Sequence, residues 1–209
     1  EGEVFTAEVL ARVLETDERT LFAYLSGDLD RQHQLIRAES IQRLGDQLLS
    51  KYRFRNILFQ KYLYSTLDQV EKVHLHQQVG TTLEQLTAVQ VGFSVASLQL
   101  ARHFEEAGIP EKAIYYLHHA GEMAIQLTAY HEGITHLKRG LELLPMIPES
   151  STRSTHELTL QLSLAMVWKY DWTSEQSREA LARARELSIQ LDKTDQLSRV
   201  LGEMCIYHY

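Results

Sequence analysis

Ten histidines and one cysteine are the residues of this chain best equipped for chemistry. Two histidines three or four residues apart on a helix would offer two nitrogens to one metal ion. His131 and His136 are five apart, His74 and His76 two apart, and His118 and His119 adjacent, so none of these pairs makes that step. No metal site is expected, and the histidines are read as surface or internally hydrogen-bonded groups. Cys205 lies on an apolar, repeat-like helix in the slot of a large residue, where cysteine is structural rather than nucleophilic. The aspartates and glutamates have no partner placed by a motif, so no acid–base pair can be named. A phosphate cradle of the form Gly-x-x-x-x-Gly-Lys-Ser/Thr does not occur. No catalytic residue and no cofactor is assigned to this chain.

Charge is the next source of chemistry. The formal charge is -7, which opposes wholesale association with a polyanion. It is unevenly spread, because the stretch from Arg31 to Lys61 carries seven bases against Glu39 and Asp46. Within it, Arg37, Arg43, Lys51, Arg53 and Arg55 have two readings. They could meet the phosphates of DNA beside a recognition helix, or they could face solvent or an acidic protein surface. Asp28 and Asp30 beside Arg31, on the helix that would enter the groove, suit a DNA groove poorly and favour the second reading.

The elements that must position these groups are helical. Only 3 Pro and 10 Gly occur in 209 residues, and helix formers dominate, which predicts a mainly all-α protein. Thr6 is expected to cap a short helix carrying Val9, Leu10 and Val13, and Asp17 a second one carrying Leu21, Leu25 and Leu29. The runs Leu35–Ile41 and Leu48–Arg55 flank Gly45-Asp46, and the second alternates Tyr52 and Phe54 with Lys51, Arg53 and Arg55. That pattern predicts a two-stranded hairpin, a wing. Helical spacing resumes at Ile57, Leu58, Tyr62 and Leu63, and Asp68 is placed to cap a longer helix with Val70, Val73, Val79, Leu83 and Leu86 on one face. The polar stretch from Thr87 to Ser94 marks a boundary, giving modules 1–88 and 89–209.

The second module is repetitive. Leu100-Ala101 with Phe104, then Ala113, Leu117 and Ala120, follow the tetratricopeptide rule of small residues where paired helices approach and large ones beside them. Leu164-Ala165 with Trp168, then Ser177, Leu181 and Ala184, repeat it. Ala120-Gly121, Ala124, Gly133, Leu137, Gly140 and Pro145 fit less regularly, and Leu201-Gly202 opens a further copy. One helix from Pro110 to about Leu127 is expected to serve two units. In this register Arg102, Glu105, Glu106, His118, Glu122, Gln126, Lys169 and Tyr170 line a groove for a protein or peptide partner.

In this order the segments resemble the carboxy-terminal part of bacterial signal-transduction ATPases with numerous domains, the STAND class, including predicted ATPases attached to adenylate cyclases, protein kinases or transcriptional activators. The resemblance rests on Gly2-Glu3-Val4-Phe5, on Tyr52-Arg53-Phe54-Arg55-Asn56-Ile57-Leu58-Phe59-Gln60-Lys61-Tyr62-Leu63-Tyr64, and on Leu100-Ala101-Arg102-His103-Phe104-Glu105-Glu106-Ala107-Gly108 with Glu111-Lys112-Ala113-Ile114. It implies a winged-helix module that closes over nucleotide held by an upstream ATPase domain, followed by an α-α superhelix of tetratricopeptide-like repeats that bind a partner or effector. ATP or ADP and Mg would belong to the parent protein, not to this chain. Relatives often carry His where this chain has Asn56, which weakens a direct nucleotide contact there. The expected function is regulatory and non-catalytic, with a DNA-binding winged-helix regulator as the alternative. One cysteine, no apolar run of the roughly 18 residues a span needs, and acidic first residues point to a cytoplasmic protein without a membrane partner. The first residue is not Met and the last repeat stops in mid-copy, so a piece of a longer protein is expected.

Overall fold

The computed structural model describes residues 2–44, 47–87, 93–168 and 175–206, and it is mainly helical with one small antiparallel sheet. The chain divides into two compact units, Glu1–Ile109 and Pro110–Tyr209. The boundary read at 88/89 falls where residues 88–92 lie outside the described set. The helix that follows them packs within the first unit.

Three strands rather than two make the sheet of the first unit. Val4–Thr6 (β1) and Ile36–Leu44 (β2) pair antiparallel with opposite edges of Gln47–Phe54 (β3), in the order β1-β3-β2. The hairpin has the expected flanks, with Ile36 opposite Phe54 and a bulge between Ala38 and Ser40. Its Gly45-Asp46 turn lies outside the described residues. β1 escapes a period-2 reading because three residues are too few to alternate. Thr6 accordingly ends a strand with extended backbone and makes no side-chain cap bond to the helix Ala7–Val13 (α1) that follows. Beyond the last β1 pair, Ser50 of β3 donates its N–H to both carboxylate oxygens of Glu8, at 2.8 and 3.0 Å. Glu8 is thus a buried acid that completes the sheet edge where the strand runs out.

Asp17 caps Glu18–Tyr24 (α2) as expected, accepting from the Thr20 N–H at 3.0 Å. The helix then widens into a π segment, Leu25–Gln32. Leu21 and Leu25 of this continuous rod pack with Ala7, Ala11, Ile36 and Tyr52 into one core cluster. Ile57–Thr66 (α3) starts from Asn56, whose Oδ1 accepts from the Leu58 N–H at 2.8 Å. Gln69–Thr87 (α4) starts from a reciprocal capping box, in which Asp68 accepts from Glu71 N–H and Glu71 from Asp68 N–H. Phe93–Glu106 (α5) packs on α4, and α4 on α1. Leu100, Ala101 and Phe104 are buried there, and a Cβ on Gly80 would sit 3.3 Å from the Cβ of His103.

The second unit holds Pro110–Gln126 (α6), Tyr130–Leu143 (α7) with a 3-10 turn Leu144–Met146, Ser151–Trp168 (α8), Glu175–Gln190 (α9) and Thr194–Ile206 (α10). α6 covers the range read for it. Each helix packs on its neighbour in sequence, and small residues mark the closest approaches. A Cβ on Gly121 would lie 2.8 Å from Leu137 Cγ, and one on Gly133 would lie 2.8 Å from Ile125 Cγ1. Ser177, Ala180, Leu181 and Ala184 of α9 are buried, the last three in a core with Leu158, Ala165 and Val200, while Gly202 faces open space. The side chains of Trp168 and Cys205 lie outside the described residues.

The same Schellman closure ends α1, α5, α6 and α9. Its left-handed residues are Glu15, Gly108, Thr128 and Asp192, with φ of 49°, 68°, 62° and 52°. At α5 the Ile109 N–H donates to Phe104 O and the Gly108 N–H to Glu105 O, and the other three ends repeat this pair of bonds. These closures allow α6 and α10 to begin within two residues of the preceding helix's end motif.

Candidate functional site

A cavity of about 480 Å³ opens in the first unit among β1, α1, β3, α3, α4 and α5. Its walls are mostly aliphatic and aromatic, from Phe5, Val9, Val13, Leu63, Leu75 and Val79. The polar groups gather on the side of α4 and α5, where Tyr64, His76 and His103 form a chain. The Tyr64 hydroxyl lies 2.9 Å from His76 Nε2, and His76 Nδ1 lies 2.9 Å from His103 Nδ1. At the far end His103 Nε2 is buried with no hydrogen-bond partner among the described residues. An unsatisfied buried polar atom of this kind costs about 1–3 kcal/mol.

One proton sits between the two Nδ1 atoms, so the rings are coupled. If His76 donates, His103 carries its hydrogen on Nε2 and Tyr64 donates to His76. If His103 donates, His76 donates on to the Tyr64 oxygen and His103 Nε2 is a bare lone pair. Burial, joined by neighbouring positive charge, pushes His103 down to about 3, and burial is also the leading cause of the lowering of His76. Both are therefore neutral imidazoles near neutral pH. Burial likewise raises Tyr64, with Glu106 adding to it. Among the described residues two cations line the cavity, Lys72 with its Nζ 4.9 Å from the Tyr64 ring centroid and the exposed Arg102, and no carboxylate does.

Spacing along the sequence does not join these histidines, which it gives as surface or internally hydrogen-bonded groups. A signal was present, since His103 lies three residues after Leu100 and one before Phe104, and His76 three after Val73, each on an apolar stripe. Twenty-seven residues separate them, and only the packing of α5 on α4 brings them together.

The wing residues are largely engaged. Arg53, on the middle strand, donates to Glu3 at 2.7 Å on the β1 side and to Glu39 at 2.6 and 3.0 Å on the β2 side. Those bonds hold its charge firmly. Arg55 donates to the Ile36 carbonyl and to Asp30 at 2.8 Å. Arg43 also has a partner. Arg37 and Lys51 make no ion pair among the described residues, and Asn56 is occupied as a helix cap.

The residues read as a groove fall into two groups. Arg102, Glu105 and Glu106 lie on α5 in the first unit, and His118, Glu122 and Gln126 form an i, i+4, i+8 stripe on α6 in the second. Lys169 and Tyr170 lie outside the described residues. His118 Nε2 sits 3.3 Å from Glu122 Oε1 and 2.9 Å from Ser163 Oγ, and its pKa is lowered chiefly by burial. With His119 these two form a cluster whose ligand-type atoms all lie within 4.8 Å of one another, although no metal site was expected. Histidine-to-histidine spacing does not reveal it, because the third donor is the carboxylate of Glu122.

No family model and no solved structure matches the chain. It is 24% identical over 147 residues to an uncharacterized protein of Rhizobium meliloti, a match that covers 69% of this chain and 14% of that protein. No helix among the described residues is long and apolar enough to cross a membrane.

Proposed function

We propose that this chain is a non-catalytic regulatory and protein-interaction region of a multidomain signalling ATPase of the STAND class. In this reading the first unit is a winged-helix module that couples to a nucleotide-binding domain, and the helices of the second unit bind a protein or peptide partner. The observation that carries it is α3. Every one of its residues is at least partly exposed, and Leu58 and Tyr62 are 69% and 64% exposed immediately after the wing. A ten-residue helix that buries no side chain of its own is a surface awaiting a partner. The sheet order β1-β3-β2, with α1 and α2 between its first two strands, supports a winged helix in the first unit. Tight approaches at Gly121, Gly133 and Gly140 support repeat-like pairing in the second.

The DNA-binding alternative is weakened by the pairing of Arg53 and Arg55 with Glu3, Glu39 and Asp30, since phosphates would have to displace these carboxylates. The test begins with the gene around this chain, which must encode a phosphate-binding loop upstream. The nucleotide-binding domain so defined, titrated with this chain, should bind it, and Leu58→Glu should weaken the complex at least about tenfold. A gene without that loop, or binding indifferent to Leu58→Glu, overturns the reading.

A further inference from the structure

We propose that the cavity of the first unit is a binding site for an amphipathic monocarboxylate, its apolar body held among Phe5, Val9, Val13 and Leu75 and its carboxylate met by His103 and Arg102. The assignment stands apart from the regulatory reading, because it uses only the walls and polar groups of one unit.

Size and lining set the class of ligand. A volume of about 480 Å³ falls within the range of small-molecule sites, and the aliphatic and aromatic walls call for a hydrocarbon or ring. Charge sets its sign. Among the described residues, Lys72 and Arg102 are the charged groups of the lining, and neither makes an ion pair there. Glu106 is near enough to act electrostatically on Tyr64 and His76 but does not line the cavity.

His103 sets the head group. Its Nε2 is buried and unpartnered, and the residue is only 2% exposed. When Tyr64 donates to His76 and His76 donates to His103, that Nε2 bears a hydrogen and becomes a donor without an acceptor. His103 lines the cavity but its Nε2 has no accessible surface, so the ring must turn slightly for a ligand carboxylate oxygen to supply the acceptor and select this arrangement of protons. A ligand amine would instead face two cations. Arg102, exposed at the mouth beside Gly2, offers a guanidinium for the second oxygen.

The test is calorimetric titration of the full chain with decanoate, decan-1-ol and decyltrimethylammonium, each below its micellar concentration. Decanoate is expected to saturate at one per chain, to bind at least about tenfold more tightly than decan-1-ol, and to lose about tenfold on Arg102→Gln. Val13→Trp, which adds bulk to the apolar lining, should abolish binding while leaving the far-UV circular dichroism unchanged. The ring carbons of His103, followed by NMR, should shift on adding decanoate but not decan-1-ol. No saturable decanoate binding, equal affinity for acid and alcohol, or binding that survives both Arg102→Gln and Val13→Trp would overturn the assignment. Should Val13→Trp fail to fold, Arg102→Gln and the three-ligand ranking decide the matter alone.

Discussion

His76 on α4 and His103 on α5 meet through their Nδ1 atoms at 2.9 Å, a distance at which one nitrogen must donate and the other accept. Adding a second proton to the pair forces two N–H groups together. Both rings are held below the usual histidine range, His103 at about 3, whereas in the unfolded chain each titrates near 6.5. The unfolded state therefore takes up protons first as pH falls, so stability is full above about 6.5 and declines towards 3. A fully buried histidine contributes a slope of at most about 1.4 kcal/mol per pH unit. Urea unfolding at pH 7.5, 6.0 and 5.0 should show this loss. His103→Leu should flatten it in part, because His118, His136 and His156 shift in the same direction. Parallel slopes for the two proteins would refute the account.

Glu8 finishes the sheet edge at Ser50. Glu8→Ala leaves a strand N–H without its charged acceptor and is expected to cost about 2 kcal/mol in chemical denaturation. Glu8→Gln keeps one acceptor oxygen and should recover part of that loss.

Two helical glycines should respond oppositely to alanine. At Gly121 the new methyl would lie 2.8 Å from Leu137 Cγ, so Gly121→Ala is expected to destabilise by about 1–3 kcal/mol. At Gly202 nothing lies within 4 Å, and Gly202→Ala should gain up to about 1 kcal/mol of helix propensity. Thermal melts of the pair measure the contrast.

Thr128 closes α6 with φ of 62°, a conformation that a β-branched residue adopts at a cost. Thr128→Gly keeps both closing hydrogen bonds and should raise the unfolding free energy by about 0.5–1 kcal/mol. A lower melting temperature would show that the threonine makes a compensating contact.

The wing offers a check on the DNA alternative. Gel retardation with a mixed-sequence duplex at about 50 mM salt should show no complex, in keeping with the ion pairs of Arg53 and Arg55. A salt-dependent complex lost in Arg53→Ala would restore that alternative.

Sequence alone determined what depends on neighbours a few residues apart. Asp17 and Asp68 cap the helices read for them, the hairpin flanks Gly45-Asp46, and α6 runs from Pro110, because caps, turns and helical periodicity act over roughly four residues. The small residues at Gly121 and Gly133 were legible for the same reason, since their positions on a helix face follow from spacing. The strand β1 was not, being too short to carry a period, nor was the capture of Arg53 by acids 14 and 50 residues away. The cavity, the Tyr64–His76–His103 chain and the Glu8–Ser50 bond are likewise decisions of the tertiary structure. The hydrogen bonds join groups 12 to 42 residues apart and the cavity lining runs from Gly2 to His103, and no local rule sets which buried polar atoms will meet once apolar faces pack.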